Sequence, residues 1–353
     1  METFQQYIQP FSDRLNGVKI DQLQLEEYPA KYLHQLIHHK VYYLHMYAAV
    51  LNKAVEKVGC RIEELVLIDY GCGNGLLGLF AKYCGCKQVY LNDTNSSFLA
   101  AAEKLSNEMA VEVDGLIEGD INEVEMFLNN KSKPHAIIGT DVIEHIYNLN
   151  IFFTTIARIN TEMVTVFTTA SVTDNYFKSK QLIRLQYKDE HVGSNALHAA
   201  ANNKFAGLPF KKIREQLIKS YAPGLPDEKV LNLSIATRGL NKQDIFKTTD
   251  EFKNSDKMPA PPGHSTNTCD PITGSWTERL LTIDEYQLLY NQAGFLLKVY
   301  NGFYNQWQGG VKSYILKFAN KFIGLLHNRA RFIAPFIILV GGPKKYKLFQ
   351  RSH

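Results

Sequence analysis

Residues 65–78, LVLIDYGCGNGLLG, join a short apolar run to a turn with a glycine at every second position. Leu65, Val66, Leu67 and Ile68 have the length and composition of a strand buried on both faces, as strands of parallel sheets are. The run stops at Asp69, and Gly71, Gly73 and Gly75 then let backbone approach a ligand where a Cβ would collide. The LLGLFAKY segment that follows begins a helix, whose first amides point back at the turn. Strand, glycine turn and helix in that order make a cradle for a polar, nucleotide-like molecule.

Two ligand classes compete for such a cradle. Residues 73–78 satisfy the dinucleotide pattern G-x-G-x-x-G, and Asp93 lies about 20 residues further on, where a ribose-binding carboxylate belongs. Through Asp69, Gly71, Gly73 and Gly75 the same stretch resembles the D-x-G-x-G-x-G turn of class I S-adenosylmethionine (AdoMet) methyltransferases. The glycines alone do not separate an NAD site from an AdoMet site; the ends of the later strands do.

Ahead of the turn, residues 29–58 contain few breakers and a near-helical apolar rhythm of Leu33, Leu36, Ile37, Val41, Leu44, Tyr47, Ala48 and Leu51, from which Tyr32 is absent. One long helix or two shorter ones are predicted there, with Gly59 as the stop. His34 and His38 form an i, i+4 pair, read as a polar stripe because no third ligand is spaced nearby.

After the turn, CKQVYLND reads as a second strand ending at Asn92 and Asp93, where an acid can reach a ribose, while Asp93 and Thr94 can also cap the following SSFLAAAEKL helix. A third strand near residues 113–117 leads to Glu118, Asp120 and Ile121, and AIIGTD is a fourth, followed by Asp141, Val142, Ile143, Glu144 and His145. The D-V-x-E-H segment resembles the small-molecule methyltransferases that include the ubiquinone-biosynthesis O-methyltransferases. A T-x-x-E-Y…A-G-F pattern at Thr282, Glu285, Ala293, Gly294 and Phe295 resembles the last helix and strand of the same group. Polar groups at four successive strand ends favour methyltransferase over hydride transfer.

The resemblance covers about residues 60–170 and 278–342 and implies a doubly wound, mostly parallel seven-stranded α/β sheet of Rossmann-like type. In the family the seventh strand runs antiparallel beside the sixth; here a helix stands between the two in the chain. The expected organisation is an N-terminal helical segment over 1–59, an AdoMet-binding core over 60–171, a helical and loop cap over 172–277, and completion of the sheet over 278–353. By resemblance, Asp69, Gly71 and Gly73 hold the amino-acid part of AdoMet, Asp93 the ribose hydroxyls, and Asp120 with Ile121 the adenine; Cys72, Gly75, Thr94, Asp141 and Val142 are further cofactor-binding candidates. His145 is the candidate base, because an imidazole near neutrality can take a proton from a hydroxyl acceptor; helix-start packing is its other reading. In ubiquinone-type relatives the residues matching Asp141, Glu144 and His145 are associated with a divalent cation, but no metal is assigned here. Within the cap, His191, His198, His264 and Arg279 are weaker candidates chosen by location.

The cap reads as helical over 178–222 and as a long loop over 253–274, rich in Pro, Gly, Ser, Thr and Asn. The implied substrate is a small molecule, including one with a lipid-linked part; oxygen is preferred to nitrogen or carbon as the atom methylated. Alternatives are an NAD-dependent oxidoreductase, or a membrane- or partner-binding protein that keeps the fold without turnover. Nucleic acid is not expected, since no N-P-P-Y-like tetrad follows the fourth strand and positive charge is confined to the tail.

Net charge is +4, yet residues 311–353 carry nine Lys and Arg and no Asp or Glu, leaving 4 − 9 = −5 for the rest. That tail contains an amphipathic basic helix whose apolar face, including Val311, Tyr314, Ile315, Phe318, Phe322 and Leu325, is expected to pack on the sheet, with peripheral membrane contact through 311–331 as the alternative. The five cysteines are read as reduced thiols, Cys84 and Cys86 having too short a spacer for a zinc knuckle. With no apolar run of membrane-spanning length and no signal-peptide pattern at its start, the chain is expected to be cytoplasmic.

Overall fold

The computed structural model describes residues 3–193, 205, 207–260 and 262–344. In chain order its main elements are α1 (Ile8–Asn16), α2 (Glu27–His38), α3 (Lys40–Val58), β1 (Val66–Tyr70), α4 (Leu76–Tyr83), β2 (Gln88–Asp93), α5 (Ser96–Glu108), β3 (Gly115–Glu118), α6 (Ile121–Leu128), β4 (Ala136–Thr140), α7 (Leu149–Ile159) and β5 (Val164–Thr169). Then come α8 (Tyr176–Tyr187), α9 (Phe210–Tyr221), α10 (Asp227–Ala236), α11 (Lys242–Ser255), α12 (Ile283–Gln292), β6 (Phe295–Asn301), α13 (Gly310–Leu326) and β7 (Ile337–Pro343). Among the described residues no helix is long and apolar enough to cross a membrane.

The seven strands form one sheet in the order β3-β2-β1-β4-β5-β7-β6. The first five strands pair in parallel, with Ile68 opposite both Tyr90 and Ile137; β7 runs antiparallel to β5 and to β6. All five residues of β1 are buried, as its unbroken apolar run demands of a central strand covered on both faces. The chain divides into two compact units: one takes residues 1–143, 149–170 and 283–353, and the other residues 144–148 and 171–282.

In the sheet-bearing unit the N-terminal segment belongs to the main core. Phe4, Phe11, Leu33, Leu36, Tyr47 and Leu51 share one apolar cluster with Leu67, Leu79 and Val340. Each side chain of that size contributes about 1.5–3 kcal/mol when buried. The helical stretch before β1 is two helices, broken at His39, which leaves helical geometry (φ −109°, ψ 21°). Gly59 ends the second in the left-handed region (φ 78°), its N–H donating to the Val55 carbonyl. The cap of α5 is neither Asp93 nor Thr94 but Asn95, whose side chain accepts the Ser97 N–H at 2.9 Å.

Helix α13 differs from its expected packing. Its inward positions are Ser313 and Ile323, both buried, and Asn320, which accepts the Tyr304 N–H and donates to the Tyr304 carbonyl; the larger apolar face is exposed.

The second unit is built around Phe210, Ile213, Leu217, Leu233, Ile245 and Phe252 from α9, α10 and α11. The irregular stretch begins at Asp256, since α11 persists to Ser255. Arg214 is fully buried here. Its guanidinium donates to both oxygens of Glu190 and to the Ser234 carbonyl, and Thr268 donates to Glu190 at 2.7 Å.

Candidate functional site

The glycine turn leaves the carboxyl end of β1, where a doubly wound sheet places its ligand. Gly71 has φ 65°, and a Cβ on it would stand 2.3 Å from Cγ2 of Val142, so the ends of β1 and β4 close on each other only because residue 71 has no side chain. Gly73 has φ 53°, and the ring of Tyr32 in α2 lies 3.3 Å from where its Cβ would be. Helix α2 therefore lies over the turn. Asn74 strengthens this contact: its buried side-chain amide donates to the Pro29 carbonyl at 3.0 Å.

The turn is tied to the neighbouring strand ends. Cys72 N–H donates to the Asn92 carbonyl at 2.8 Å, and Gly73 N–H donates to Oδ2 of Asp93 at 2.9 Å. The Asn92 side chain donates to the carbonyls of Ile117 and Gly119, bringing in the end of β3. Asp69 is buried at the end of β1 and accepts the Gly78 N–H at 2.8 Å, so it fastens the start of α4. Burial pushes its carboxyl up to about 8, against the Gly78 hydrogen bond and helped by the charge of Asp93. Burial also raises Asp93, while the N–H groups of Asn95, Gly73 and Thr94 oppose the shift.

Asp120 caps α6, accepting the Asn122 N–H at 2.7 Å in a capping box with Glu123, and Ile121 is buried as the first helical residue. Asp141 is exposed just past β4, in left-handed geometry (φ 51°), its N–H directed at the Thr168 carbonyl. The structure thus brings Asp69, the turn from Gly71 to Gly75, Asp93, Thr94, Asp120, Ile121, Asp141 and Val142 together in one unit, at the carboxyl ends of four parallel strands.

Tyrosines of α2 and α3 complete this region, and sequence reasoning missed them. Tyr28 and Tyr32 pack edge-on against Phe98, with centroids 5.2 and 5.6 Å away. Tyr32 leaves 36 % of its surface exposed, yet burial of its hydroxyl, ahead of the charge of Asp141, pushes its pKa well up. The same two causes raise Tyr42 and Tyr43. These phenols stay protonated and offer O–H donors on the side of Asp141. The available signal was the i, i+4 spacing of Tyr28 and Tyr32, off the apolar rhythm of their own helix.

Glu144 and His145 belong to the second unit. Nδ1 of His145 lies 2.8 Å from the Trp276 carbonyl, which can only accept, so Nδ1 carries a proton and Nε2 is the nitrogen that can serve as an acceptor. Trp276 stacks on Tyr147, and the Arg279 guanidinium lies 4.5 Å above the Trp276 ring. His264 is a turn residue, its Nδ1 accepting the N–H groups of Thr266 and Asn267, and His191 packs on Tyr187. His198 lies outside the described residues. Among the described residues no group of three or more His, Cys, Asp or Glu is arranged to hold a metal; Asp141 belongs to the sheet-bearing unit, Glu144 and His145 to the second. Cys84 and Cys86 are buried free thiols; burial pushes Cys86 up to about 12.

Two features of the sheet-bearing unit fit a bound nucleoside-type cofactor. The glycine turn stands at the carboxyl end of β1, with the end of β4 and the Tyr32 ring drawn up to positions 71 and 73, where a Cβ would stand. The buried Oδ1 of Asn74, in that turn, has no hydrogen-bond partner among the described residues.

The strand order β3-β2-β1-β4-β5-β7-β6, with β7 antiparallel, defines the class I methyltransferase fold, a Rossmann-like architecture. No protein-family model matches the chain, and no curated protein matches it. Solved structures similar to it include the magnesium protoporphyrin IX methyltransferase of Synechocystis PCC 6803 with bound S-adenosylhomocysteine, at 11 % identity and TM-score 0.36, over 84 % of this chain and 83 % of that one. An S-adenosylmethionine-dependent methyltransferase of Clostridium acetobutylicum aligns at 17 % identity and TM-score 0.29, over 42 % of this chain and 53 % of that one. The precorrin-6y C5,15-methyltransferase of Geobacter metallireducens aligns at 16 % and 0.28, over 39 % and 69 %. At these values the fold rests on the strand order itself, not on the scores.

Proposed function

We propose that this chain is an AdoMet-dependent methyltransferase acting on a small-molecule acceptor, with oxygen the atom methylated in preference to nitrogen or carbon. The observation that carries the reading is the sheet order. Dinucleotide-binding sheets run 3-2-1-4-5-6, whereas here an antiparallel β7 separates β5 from β6. The preference for oxygen rests on the resemblance of Asp141, Val142, Glu144 and His145 to the ubiquinone-biosynthesis O-methyltransferases and on the His145 tautomer.

Bound AdoMet would supply a methyl group already activated by its sulfonium, so no covalent nucleophile of the protein is needed. Asp93 and Thr94 would hold the ribose hydroxyls, Asp120 and Ile121 the adenine, and Asp69 with Gly71, Cys72, Gly73 and Gly75 the amino-acid end. Tyr32, over Gly73, would exclude water and keep the acceptor in line, the main requirement of a displacement on an activated carbon. For a hydroxyl acceptor, Nε2 of His145 would be the base that takes the proton.

Titration calorimetry with S-adenosylhomocysteine and with NAD tests the reading. Micromolar binding of S-adenosylhomocysteine is expected. Binding of NAD with none of S-adenosylhomocysteine overturns it.

A further inference from the structure

Helix α13 is turned outward. Val311 is 77 % exposed, Tyr314 75 %, Ile315 63 %, Phe318 73 %, Phe322 46 % and Leu325 76 %. The side facing the protein is the smaller and more polar one of Ser313, Asn320 and Ile323. At about 100° per residue, the exposed Lys317 and Lys321 run along one edge of the apolar stripe and the exposed Lys312 along the other. A contiguous apolar surface of this kind, edged by one sign of charge, marks an interaction surface.

We propose that α13 seats the protein on an anionic lipid bilayer, lying in the interface with its apolar stripe toward the acyl chains. Charge complementarity selects this occupant. Residues 311–353 hold nine Lys and Arg and no Asp or Glu, while the remainder carries −5, so an anionic surface attracts this end of the chain and repels the rest. A second copy docked face to face would bring two sets of Lys312, Lys317 and Lys321 together, with no acid on the helix to pair with them. A lipid headgroup layer supplies that negative charge and lets the lysine stems extend along the apolar stripe toward it. The proposal stands independently of the methyltransferase reading.

The full chain is tested by sedimentation with phosphatidylcholine vesicles with and without phosphatidylserine, at low and high salt. Pelleting with the phosphatidylserine vesicles, weakened by salt and lost when Lys312→Glu, Lys317→Glu and Lys321→Glu are combined, is expected. Phe318→Trp reports depth: its emission, as a difference from wild type, should shift to shorter wavelength on those vesicles, which charge attraction alone does not cause. The proposal is overturned if the protein stays in the supernatant at low salt, if pelleting survives the triple substitution, or if the Trp emission does not shift. A dimer seen by light scattering and dissociated by Phe318→Ser with Phe322→Ser would likewise overturn it, assigning the face to a second copy.

Discussion

Oδ2 of Asp93 accepts the Gly73 N–H and Oδ1 accepts the Asn95 N–H, both at 2.9 Å, so one carboxylate at the end of β2 fixes the glycine turn after β1 and the start of α5. If that carboxylate also takes a ribose hydroxyl, Asp93→Ala should weaken S-adenosylhomocysteine binding by about 1–3 kcal/mol through a lost charge-assisted hydrogen bond. Calorimetry on a folded variant reads this. An unchanged dissociation constant would confine Asp93 to bracing the turn.

Asp69 makes stability depend on pH. Its folded carboxyl is raised to about 8, above the roughly 3.9 of an unfolded chain. The folded protein therefore keeps a proton that the unfolded chain releases. The contribution of Asp69 is complete below about pH 4 and is lost as pH rises through about 8. Asp69→Asn keeps an acceptor for the Gly78 N–H and removes the titration. The stability of wild type minus that of Asp69→Asn, from urea unfolding, should fall steadily between about pH 5 and 8; a flat difference would mean that Asp69 ionises as an ordinary carboxylate.

Gly71→Ala tests the closure between β1 and β4. Its Cβ would meet Val142 at 2.3 Å in a backbone with φ 65°, so the variant should lose about 1–3 kcal/mol. Adding Val142→Ala should return the steric share and leave the conformational share. A single variant as stable as wild type would show that the turn has slack.

Arg214→Leu should cost the second unit about 3–5 kcal/mol, because Glu190 would remain buried with the Thr268 hydroxyl but without its cation. Replacing both Arg214 and Glu190 with Leu should recover much of that loss. Protease protection of residues 171–282 beside a urea curve measures it, and a single variant no more sensitive than the double would refute the pairing.

The cradle was legible because its signals are local: the apolar run of β1, Asp69 and the alternating glycines each report on their own backbone. The sheet order was not local: the resemblance at 141–145 and 282–295 implied seven strands with the seventh antiparallel beside the sixth, while the place of that strand between β5 and β6 depends on packing that no spacing records. Tyr32 escaped because helical rhythm identifies residues that turn into a helix's own core, whereas Tyr32 turns toward a loop 41 residues away in the chain, at Gly73. The outward face of α13 escaped for a related reason: an amphipathic pattern says that a helix has two faces, not which one the protein covers. The buried Arg214–Glu190 pair carries no spacing signal, since its partners are 24 residues apart and meet only through packing.

The place of β7 between β5 and β6 governs how the chain can be assembled on the ribosome. When residues 164–169 emerge, the edge of β5 is an open row of amides and carbonyls, and its partner is not made until residues 337–343 follow. During that interval the 171–282 segment, with its own apolar centre, can gather itself, while the half-built sheet keeps an unfilled slot beside β5. Of the seven described strands the last to be synthesised is an interior one, so truncation before residue 337 removes the join between two parts of the sheet rather than trimming its rim.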